Sequence, residues 1–341
     1  MTNFILDERA SQSEFFNRTL PADVTGYGGY VYRLQPAQAE LNLAPGIRKA
    51  AQAYFKAKGI TWHQHANHAL SSQVSCLNFL MPLAMAPELL AHIIGRVLNI
   101  IPPTVLEIED GPDGRPWFVG FEWIGRADYL NEGGKSGHRT RGANATSADA
   151  IVRFRHDGRV ETLLIEWKYT ERYRAPIPPA GNEVRVNRHK DLAFAPNGPI
   201  RCGTGLSVTD FFWEPFYQML RQQMLAFQME KAREDGSERV RVLHISPKAN
   251  RALHVVTAPT LQKFGTDAFD VFRSLLADES CFISRTTEAV FGALLAGAEG
   301  IERVWADYLL DRYKHLSTPA LDTVPSSTPE YAVEMRGSIG Q

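Results

Sequence analysis

The chain has 341 residues, of which 44% are hydrophobic and 22% charged, as in an ordinary folded globular protein with a core of normal size. Its formal net charge of -1 excludes a uniformly basic nucleic-acid coat protein, but it is compatible with a local basic cleft on a neutral body. Three cysteines far apart in sequence, Cys76, Cys202 and Cys281, predict free thiols in a reducing compartment rather than a disulfide framework.

Neither the N-terminal residues nor the most apolar stretch indicates a membrane protein. The first twelve residues, MTNFILDERASQ, contain acids and no apolar run, which argues against a signal peptide. Residues 77–103 are apolar but are interrupted by Pro82, Glu88, His92 and Arg96, so they predict buried helices and not a membrane span. We therefore expect a cytoplasmic protein with no membrane partner.

The first hundred residues predict a mainly helical layer. Residues 1–45 show no clear periodicity, and GYGGYVY at 26–32 is typical of a loop entering a short strand. Apolar residues at helical spacing, with Gly59 and Pro82 as terminators, then indicate helices. These predicted helices cover residues 45–58, 69–80 and 87–99.

After Pro102 the pattern changes to strands, with Asp157-Gly158 as a strong hairpin signal. The predicted strands are 104–109, 117–124, 149–156, 160–170 and 239–245. The predicted helices are 214–233, 267–276, 286–295 and 301–316. The predicted loops are 131–146 and 174–199, the second long enough to be functional or mobile.

This order of elements predicts an α/β fold in which a mixed central sheet is flanked by N- and C-terminal helices. We expect a helical layer over residues 1–100, a sheet-containing core over 101–260 and C-terminal helices over 261–316. Residues 317–341 are rich in Ser, Thr and Pro, and this composition is typical of a disordered tail.

The hairpin brings acids and a lysine together. Because side chains alternate faces along a strand, Glu166 and Lys168 point the same way, while Ile165 and Trp167 point into the body. Asp149 opens the partner strand, and the Asp157-Gly158 turn places it opposite Lys168 to within a residue or two.

This set of side chains is suited to phosphodiester hydrolysis. A hard divalent cation is held by one or two carboxylates plus water and phosphate, and it polarises the phosphate and acidifies a bound water. A neighbouring lysine orients that water and stabilises the developing charge. Solvated strand faces also carry such charge pairs, but this strand is apolar up to Glu166 and the flanking loops at 135–141 and 168–190 are basic.

The string SADAIV, a hairpin and then LLIEWKYTE at 163–171 resembles the PD-(D/E)XK nuclease superfamily, and more narrowly its bacterial restriction-endonuclease-like group. NHALSSQVSCLNFL at 67–80, RGANATSAD at 141–149 and PFYQMLRQQMLA at 215–226 extend the resemblance, which spans residues 67–246. It implies an αβββαβ core and cleavage of nucleic acid. The proline of the family's name is absent, and Ala148 stands in its place.

The resemblance also implies residue roles. Asp149, Glu166 and the main-chain carbonyl of Trp167 would hold Mg²⁺, for which Mn²⁺ would substitute, and Lys168 would orient water or stabilise charge. Many members carry a further glutamate upstream, and either Glu122 or Glu132 fits that role. On the following helix, Gln218, Arg221 and Gln222 share one face and are candidates for contacting phosphate or a ligand water. Alternatively, they form a solvated helix face.

Basic and aromatic side chains near the hairpin are candidates for nucleic-acid binding. Tyr169 and Tyr173 are candidates for stacking on bases, or for ordinary strand-end packing. The basic candidates are Arg139, Arg141, Arg172, Arg174, Arg185, Arg188 and Lys190.

The sequence thus predicts a Mg²⁺-dependent phosphodiester hydrolase, an endonuclease more than an exonuclease, acting on DNA rather than RNA in restriction or defence. Cutting of both strands would favour a homodimer. The main alternative is a catalytically idle protein that keeps the fold and binds or assembles on nucleic acid. A two-carboxylate sugar hydrolase would not need Lys168. A zinc site at His63, His65, His68 and Cys76 lacks a known ligand spacing.

Overall fold

A mixed β-sheet forms the centre of the protein, whose computed structural model describes residues 3–24, 26–143, 145–173 and 175–317. Neighbouring strands in the sheet follow the order β1-β5-β6-β7-β8, with β4 also paired to β5, while β2 and β3 form a separate pair. The strands are β1 (Thr104–Leu106), β2 (Glu109–Asp110), β3 (Pro116–Trp117), β4 (Gly120–Trp123), β5 (Ala148–His156), β6 (Arg159–Trp167), β7 (Arg239–Ser246) and β8 (Phe282–Thr286).

Helices cover both faces of this sheet. None of those in the described ranges is long and apolar enough to cross a membrane. The helices are α1 (Phe4–Thr19), α2 (Arg48–Lys58), α3 (Ser72–Leu80), α4 (Pro87–Leu98), α5 (Asn182–Ala193), α6 (Phe216–Ala232), α7 (Ala268–Ser274), α8 (Thr287–Ala296) and α9 (Gly300–Arg312).

The β5–β6 hairpin sets the register of the sheet. Its turn uses Asp157 and Gly158, both with positive φ (49° and 80°), which is the backbone of the predicted two-residue hairpin. The strands pair antiparallel from His156 opposite Arg159 up to Ala150 opposite Ile165, whereas β6, β7 and β8 run parallel. The predicted α/β fold with a mixed central sheet flanked by helices is therefore confirmed.

Alternation along β6 divides the core into two layers. Leu163, Ile165 and Trp167 pack with α1 to α4, α8 and α9 on one face, while Leu164 packs with α5, α6 and α7 on the other. A shift of register by one residue would exchange these sets. The two apolar layers therefore fix which face of the hairpin presents Glu166 and Lys168.

Several elements differ from the sequence-based expectation. The prediction of a loop throughout 174–199 was wrong, because α5 occupies Asn182–Ala193. The helix α1 and the strand β8 were not predicted, and residues 26–32 form a turn bridged between Tyr27 and Tyr30 rather than a strand entry. The proposed domain boundaries stay a prediction. Arg174 and residues 318–341, which include nearly all of the predicted tail, lie outside the described residues.

A buried guanidinium joins the helix α9 to the helix α1. Arg312 on α9 is fully buried, and its Nε donates to Gln12 Oε1 at 3.0 Å. Its other nitrogens donate to the carbonyl oxygen and to Oδ1 of Asn42, while Gln12 Nε2 donates back to the Arg312 carbonyl at 3.1 Å. This network ties α9 to α1 and to the turn before α2.

Replacing Arg312 with Ala should lower the free energy of unfolding by roughly 3 kcal/mol or more, because buried acceptors on Gln12 and Asn42 lose their donor. Arg303→Ala on the same helix is the matched control. Arg303 pairs with Asp307 at 2.7 Å, but both side chains are more than half exposed, so its loss should cost under about 0.5 kcal/mol. Urea unfolding of both variants measures the difference, and equal effects would contradict a structural role for the Arg312 network.

Candidate active site

Three acidic residues lie in a row across the ends of adjacent strands. On β4 and β5, Phe121 pairs with Ala150 and Trp123 with Ala148, which leaves Glu122 across from Asp149. On β5 and β6, extending the register beyond Ala150 opposite Ile165 puts Asp149 across from Glu166. The pairing of strands therefore brings together acids that are 44 residues apart in sequence.

Asp149 is held by the backbone of the neighbouring strand. Its Oδ2 accepts the main-chain N–H of Trp167 at 2.7 Å, so one carboxylate oxygen takes the place of a ladder acceptor. On the other side of β6, the N–H of Lys168 donates to the Ile245 carbonyl at 2.9 Å. The backbone between Glu166 and Lys168 is thus anchored on both sides.

Glu166 is almost completely buried, and its carboxylate accepts from three side chains. Lys168 Nζ lies 2.5 Å from Oε1, and Gln218 Nε2 donates to the same oxygen at 2.6 Å. Gln222 Nε2 donates to Oε2 at 2.8 Å. Gln218 and Gln222 are one helical turn apart on α6, so this helix covers the acidic end of the hairpin.

The electrostatics show an excess of negative charge. Burial, and then repulsion by Glu166, raises the pKa of Asp149 well above its usual range. Burial also raises the pKa of Glu166, although Lys168 opposes the shift. For Lys168, burial lowers the pKa, but attraction to Glu166, Tyr173 and Asp149 together outweighs burial and the pKa is raised. One lysine therefore does not neutralise the two carboxylates.

Of the two upstream glutamates, Glu122 lies at the site. It is buried and contributes to raising the pKa of both Asp149 and Glu166. Its φ is +50°, a left-handed conformation that costs about 1–2 kcal/mol for a residue with a Cβ. Glu132 instead accepts from the N–H and the hydroxyl of Thr146, at 2.6 and 2.7 Å.

Two residues beside Glu122 received no catalytic role from the sequence. Gln73 on α3 donates its Nε2 to Glu122 Oε1 at 2.6 Å, and His63 Nε2 lies 3.2 Å from the same oxygen. Gln73 Oε1 also accepts from the His63 main-chain N–H at 2.9 Å. The polar string around Gln73 was the available signal, but its position near the site follows only from the packing of α3 on the sheet.

A buried histidine continues the row of acids on the other side. His244 on β7 pairs with Glu166 in the parallel register, and its Nδ1 has no partner in the described part of the chain. Burial, and then the charge of Lys168, lowers its pKa well below the usual value, so the ring is neutral. Its sequence context, VLHIS, is typical of an ordinary buried strand and did not predict that His244 lies next to Glu166.

Two predicted nucleic-acid contacts are bound to protein acceptors. Arg139 donates to the carbonyls of Ile124 and Gly125, at 2.6 and 3.2 Å. Arg141 pairs with Glu109 at 3.0 Å and donates to the Tyr54 hydroxyl at 2.9 Å. Both guanidinium groups therefore hold the loop before β5 in this conformation.

The other basic candidates lie nearer the surface. Arg172 and Lys190 are exposed, and Arg188 is partly exposed; Lys190 forms a surface pair with Asp191 at 3.0 Å. Arg221 on α6 donates to the Thr146 hydroxyl at 3.2 Å. Its positive charge opposes the rise in the pKa of Glu166.

The two tyrosines differ in access. Tyr169 is 1% exposed and accepts from Gln12, so of the two predicted alternatives it takes strand-end packing and not base stacking. Tyr173 is partly exposed, and its hydroxyl donates to Gln218 Oε1 at 3.4 Å.

The donor set at Asp149 and Glu166 fits a hard divalent cation. Two oxygen ligands with raised pKa values are relieved of mutual repulsion by such an ion. Within residues 3–317, apart from the undescribed Thr25, Asn144 and Arg174, no group of three or more His, Cys, Asp or Glu side chains is arranged to hold an ion. A magnesium ion would therefore rely on the two carboxylates, a main-chain carbonyl and water, as Mg²⁺ commonly does.

Comparison with known proteins places the chain in a family. No curated protein and no solved structure matches the chain. A family model described as restriction endonuclease associating with ARP matches residues 9–314. Because the match covers the sheet, both helical layers and the row of acids, the chain belongs to this restriction-endonuclease family.

Proposed function

We propose that the protein is a metal-dependent nuclease of the PD-(D/E)XK type that hydrolyses phosphodiester bonds in DNA. The observation that carries the proposal is the convergence of Asp149, Glu166 and Lys168 on one buried face of β5 and β6. Membership of a restriction-endonuclease family supports a nuclease role and favours DNA over RNA, in restriction or defence.

In this proposal Asp149, Glu166 and the Trp167 carbonyl hold Mg²⁺, and Mn²⁺ substitutes for it. When bound, the ion polarises the phosphate and makes water a stronger nucleophile at neutral pH. Asp149 is oriented by the Trp167 N–H, and Glu166 is oriented by Gln218 and Gln222. These bonds fix the carboxylate positions in advance, so less reorganisation is needed when the substrate arrives.

Lys168 has a separate role. Its Nζ bonds to Glu166 and carries three hydrogens, of which one suffices for that carboxylate. A second N–H is therefore free to orient the attacking water or to stabilise charge on the phosphate. The neutral His244 lies across from Glu166 on β7, and Gln73 donates to Glu122, so neither neighbour adds positive charge to the acids.

A catalytically idle nucleic-acid-binding or assembly protein with the same fold is the alternative function. The presence of all three charged residues favours the nuclease, because burying two carboxylates without a catalytic use only lowers stability. Each active site would cut one strand, so we propose that double-strand cutting requires two copies of the chain. The family description also associates its members with ARP, and we extend such a partner to this chain as part of the proposal.

The nuclease proposal predicts cleavage of plasmid and linear DNA in Mg²⁺ or Mn²⁺ and none in EDTA. Asp149→Asn, Glu166→Gln and Lys168→Met should each lower the rate by about 100-fold or more, because each removes a charge from the reacting centre. Lys49→Met, at an exposed position on α2, is the control and should cleave normally. Undiminished cleavage by all three site variants would exclude this site. Loss of cleavage in every metal, with DNA still bound by the wild type, would favour the idle protein.

The raised pKa of Asp149 makes a second prediction, on stability. As pH rises above about 4, the unfolded chain ionises Asp149, while the folded protein still holds the proton, so stability falls as pH rises through the raised pKa. Asp149→Asn removes this penalty and its amide oxygen still accepts the Trp167 N–H. The variant should therefore have a higher Tm than wild type in EDTA at pH 8, and the difference should shrink towards pH 4.

Magnesium gives the complementary measurement. Binding to the folded state alone raises Tm, so Mg²⁺ should raise the Tm of the wild type and have little effect on Asp149→Asn. Thermal unfolding in EDTA and in Mg²⁺ measures both effects. A variant less stable than wild type at pH 8, together with no response of the wild type to Mg²⁺, would contradict a metal site at Asp149.

A further inference from the structure

A basic cavity lies beside the acidic row, between α5 and α6. Its volume is about 310 Å³, which is at the lower end of the range for small-ligand sites. Arg185, Arg188 and His189 on α5 line one wall, and Tyr217 and Arg221 on α6 line another. The sequence predicted nucleic-acid binding for Arg185 and Arg188 and a phosphate contact for Arg221, but it did not join them with His189 and Tyr217 in one site, because α5 itself was not predicted.

Helical spacing explains why these side chains converge. Residues 185, 188 and 189 are separated by three and four positions, and Tyr217 and Arg221 by four, so each set occupies one face of its helix. Arg185 and Arg221 lie over the ring of Tyr217, at 6.0 and 5.1 Å from its centroid. Arginines of two helices therefore meet at one ring, and Nη1 of Arg185 also donates to the carbonyls of Pro178 and Ala180 at 2.8 and 2.9 Å.

Two buried nitrogens in this cavity lack an acceptor. His189 is 2% exposed, and its Nε2 has no partner among the described residues, nor has Arg221 Nε. The Tyr217 hydroxyl lies 3.4 Å from His189 Nδ1; if it donates there, Nε2 carries the ring hydrogen. Burial, followed by the charges of Arg221 and Arg188, lowers the pKa of His189 to about 4, so the ring is neutral at pH 7. Buried donors without acceptors are rare in folded proteins.

The cavity adjoins the proposed reaction centre. Arg221 lines the cavity, and its charge lowers the pKa of Glu166. Glu214 also lines the cavity and accepts the main-chain N–H of Gln218 at 3.0 Å, while Gln218 bonds Glu166. A strand whose scissile phosphate lies at Glu166 would therefore bring a neighbouring phosphate to the arginines.

The charge of the cavity specifies the kind of phosphate. Three arginines and two glutamates, Glu132 and Glu214, line it, which leaves one positive charge with His189 neutral. A phosphodiester within a strand carries one negative charge and is matched. A terminal phosphate monoester carries about 1.5 to 2 negative charges at pH 7. The single net positive charge of the cavity would neutralise only part of that charge.

We propose that this cavity binds an internal phosphodiester of the substrate strand, next to the phosphodiester that is cleaved. The inference rests on the proposed nuclease function and deepens it, because a site for an internal phosphate fits cutting within strands rather than from a terminal phosphate. Arg188 supplies an unpaired guanidinium, since within the described residues no acceptor bonds to it. Arg221 Nε supplies a buried donor, and His189 Nε2 supplies a second one in the tautomer that carries its hydrogen there.

The test is binding to three DNA probes of the same sequence in EDTA: a closed circle without ends, a linear duplex with 5′-hydroxyl ends and one with 5′-phosphate ends. Arg188→Gln should weaken binding to all three roughly tenfold, as expected for one lost charge-assisted contact. It should also lower the slope of log affinity against log salt by about 1. Arg188→Lys should keep most of the slope.

Arg159→Gln is the matched control. Arg159 is exposed at the hairpin turn, seven residues along β6 from Glu166 and hence roughly 23 Å away. It should bind like wild type. Thermal unfolding of Arg188→Gln should match wild type, because this partly exposed side chain holds no other group in place.

Equal binding by Arg188→Gln and Arg159→Gln would overturn the inference, as would a loss confined to the 5′-phosphorylated duplex or no binding of wild type to any probe at low salt. Cleavage by wild type in Mg²⁺ reports separately on the proposed function. If the wild type cleaves DNA and Arg188→Gln binds it as tightly as wild type, the phosphate site alone is excluded. If Arg188→Gln binds DNA more weakly and the wild type cleaves in no metal, the nuclease function alone is excluded.

Discussion

The burial of two carboxylates beside a single lysine, between two apolar layers, is the constraint on which the rest of the structure depends. Charges removed from water destabilise a fold unless hydrogen bonds and counter-charges hold them. Here two elements supply such partners: β6 gives its backbone to Asp149 and Lys168, directly after it, to Glu166, and α6 gives two glutamines to Glu166. The remaining excess of negative charge is the feature that a divalent cation would neutralise.

The sheet places these acids more precisely than loops would. Glu122, Asp149 and Glu166 lie directly across from one another on the neighbouring strands β4, β5 and β6. Each register is fixed by apolar residues on either side of the acid. The left-handed backbone of Glu122 indicates that the fold tolerates local strain to keep a third carboxylate in this row. Backbone strain of this kind is concentrated at functional sites.

Local patterns were enough to predict the hairpin, α6, β7 and the shared face of Glu166 and Lys168, because strand alternation and turn chemistry act over a few residues. The polar helix α5 was missed because only His189 and Ala193 of its twelve residues are buried, so it has no apolar periodicity. The protein acceptors of Arg139 and Arg141 could not be predicted from the sequence, because these acceptors lie on other strands and turns. The choice of Glu122 over Glu132 likewise depends on pairing between β4 and β5, which no short-range pattern contains.

The helix α6 connects the two charged regions of the protein. Gln218 and Gln222 face the buried acids with neutral amides, while Tyr217 and Arg221 face the basic cavity. An arginine in place of either glutamine would neutralise the carboxylates and compete with a metal ion. An uncharged residue in place of Arg221 would leave the substrate's own negative charge opposed to the acidic row. In the proposed function, this order of amide and guanidinium groups along one helix would let an anionic strand approach an acidic centre.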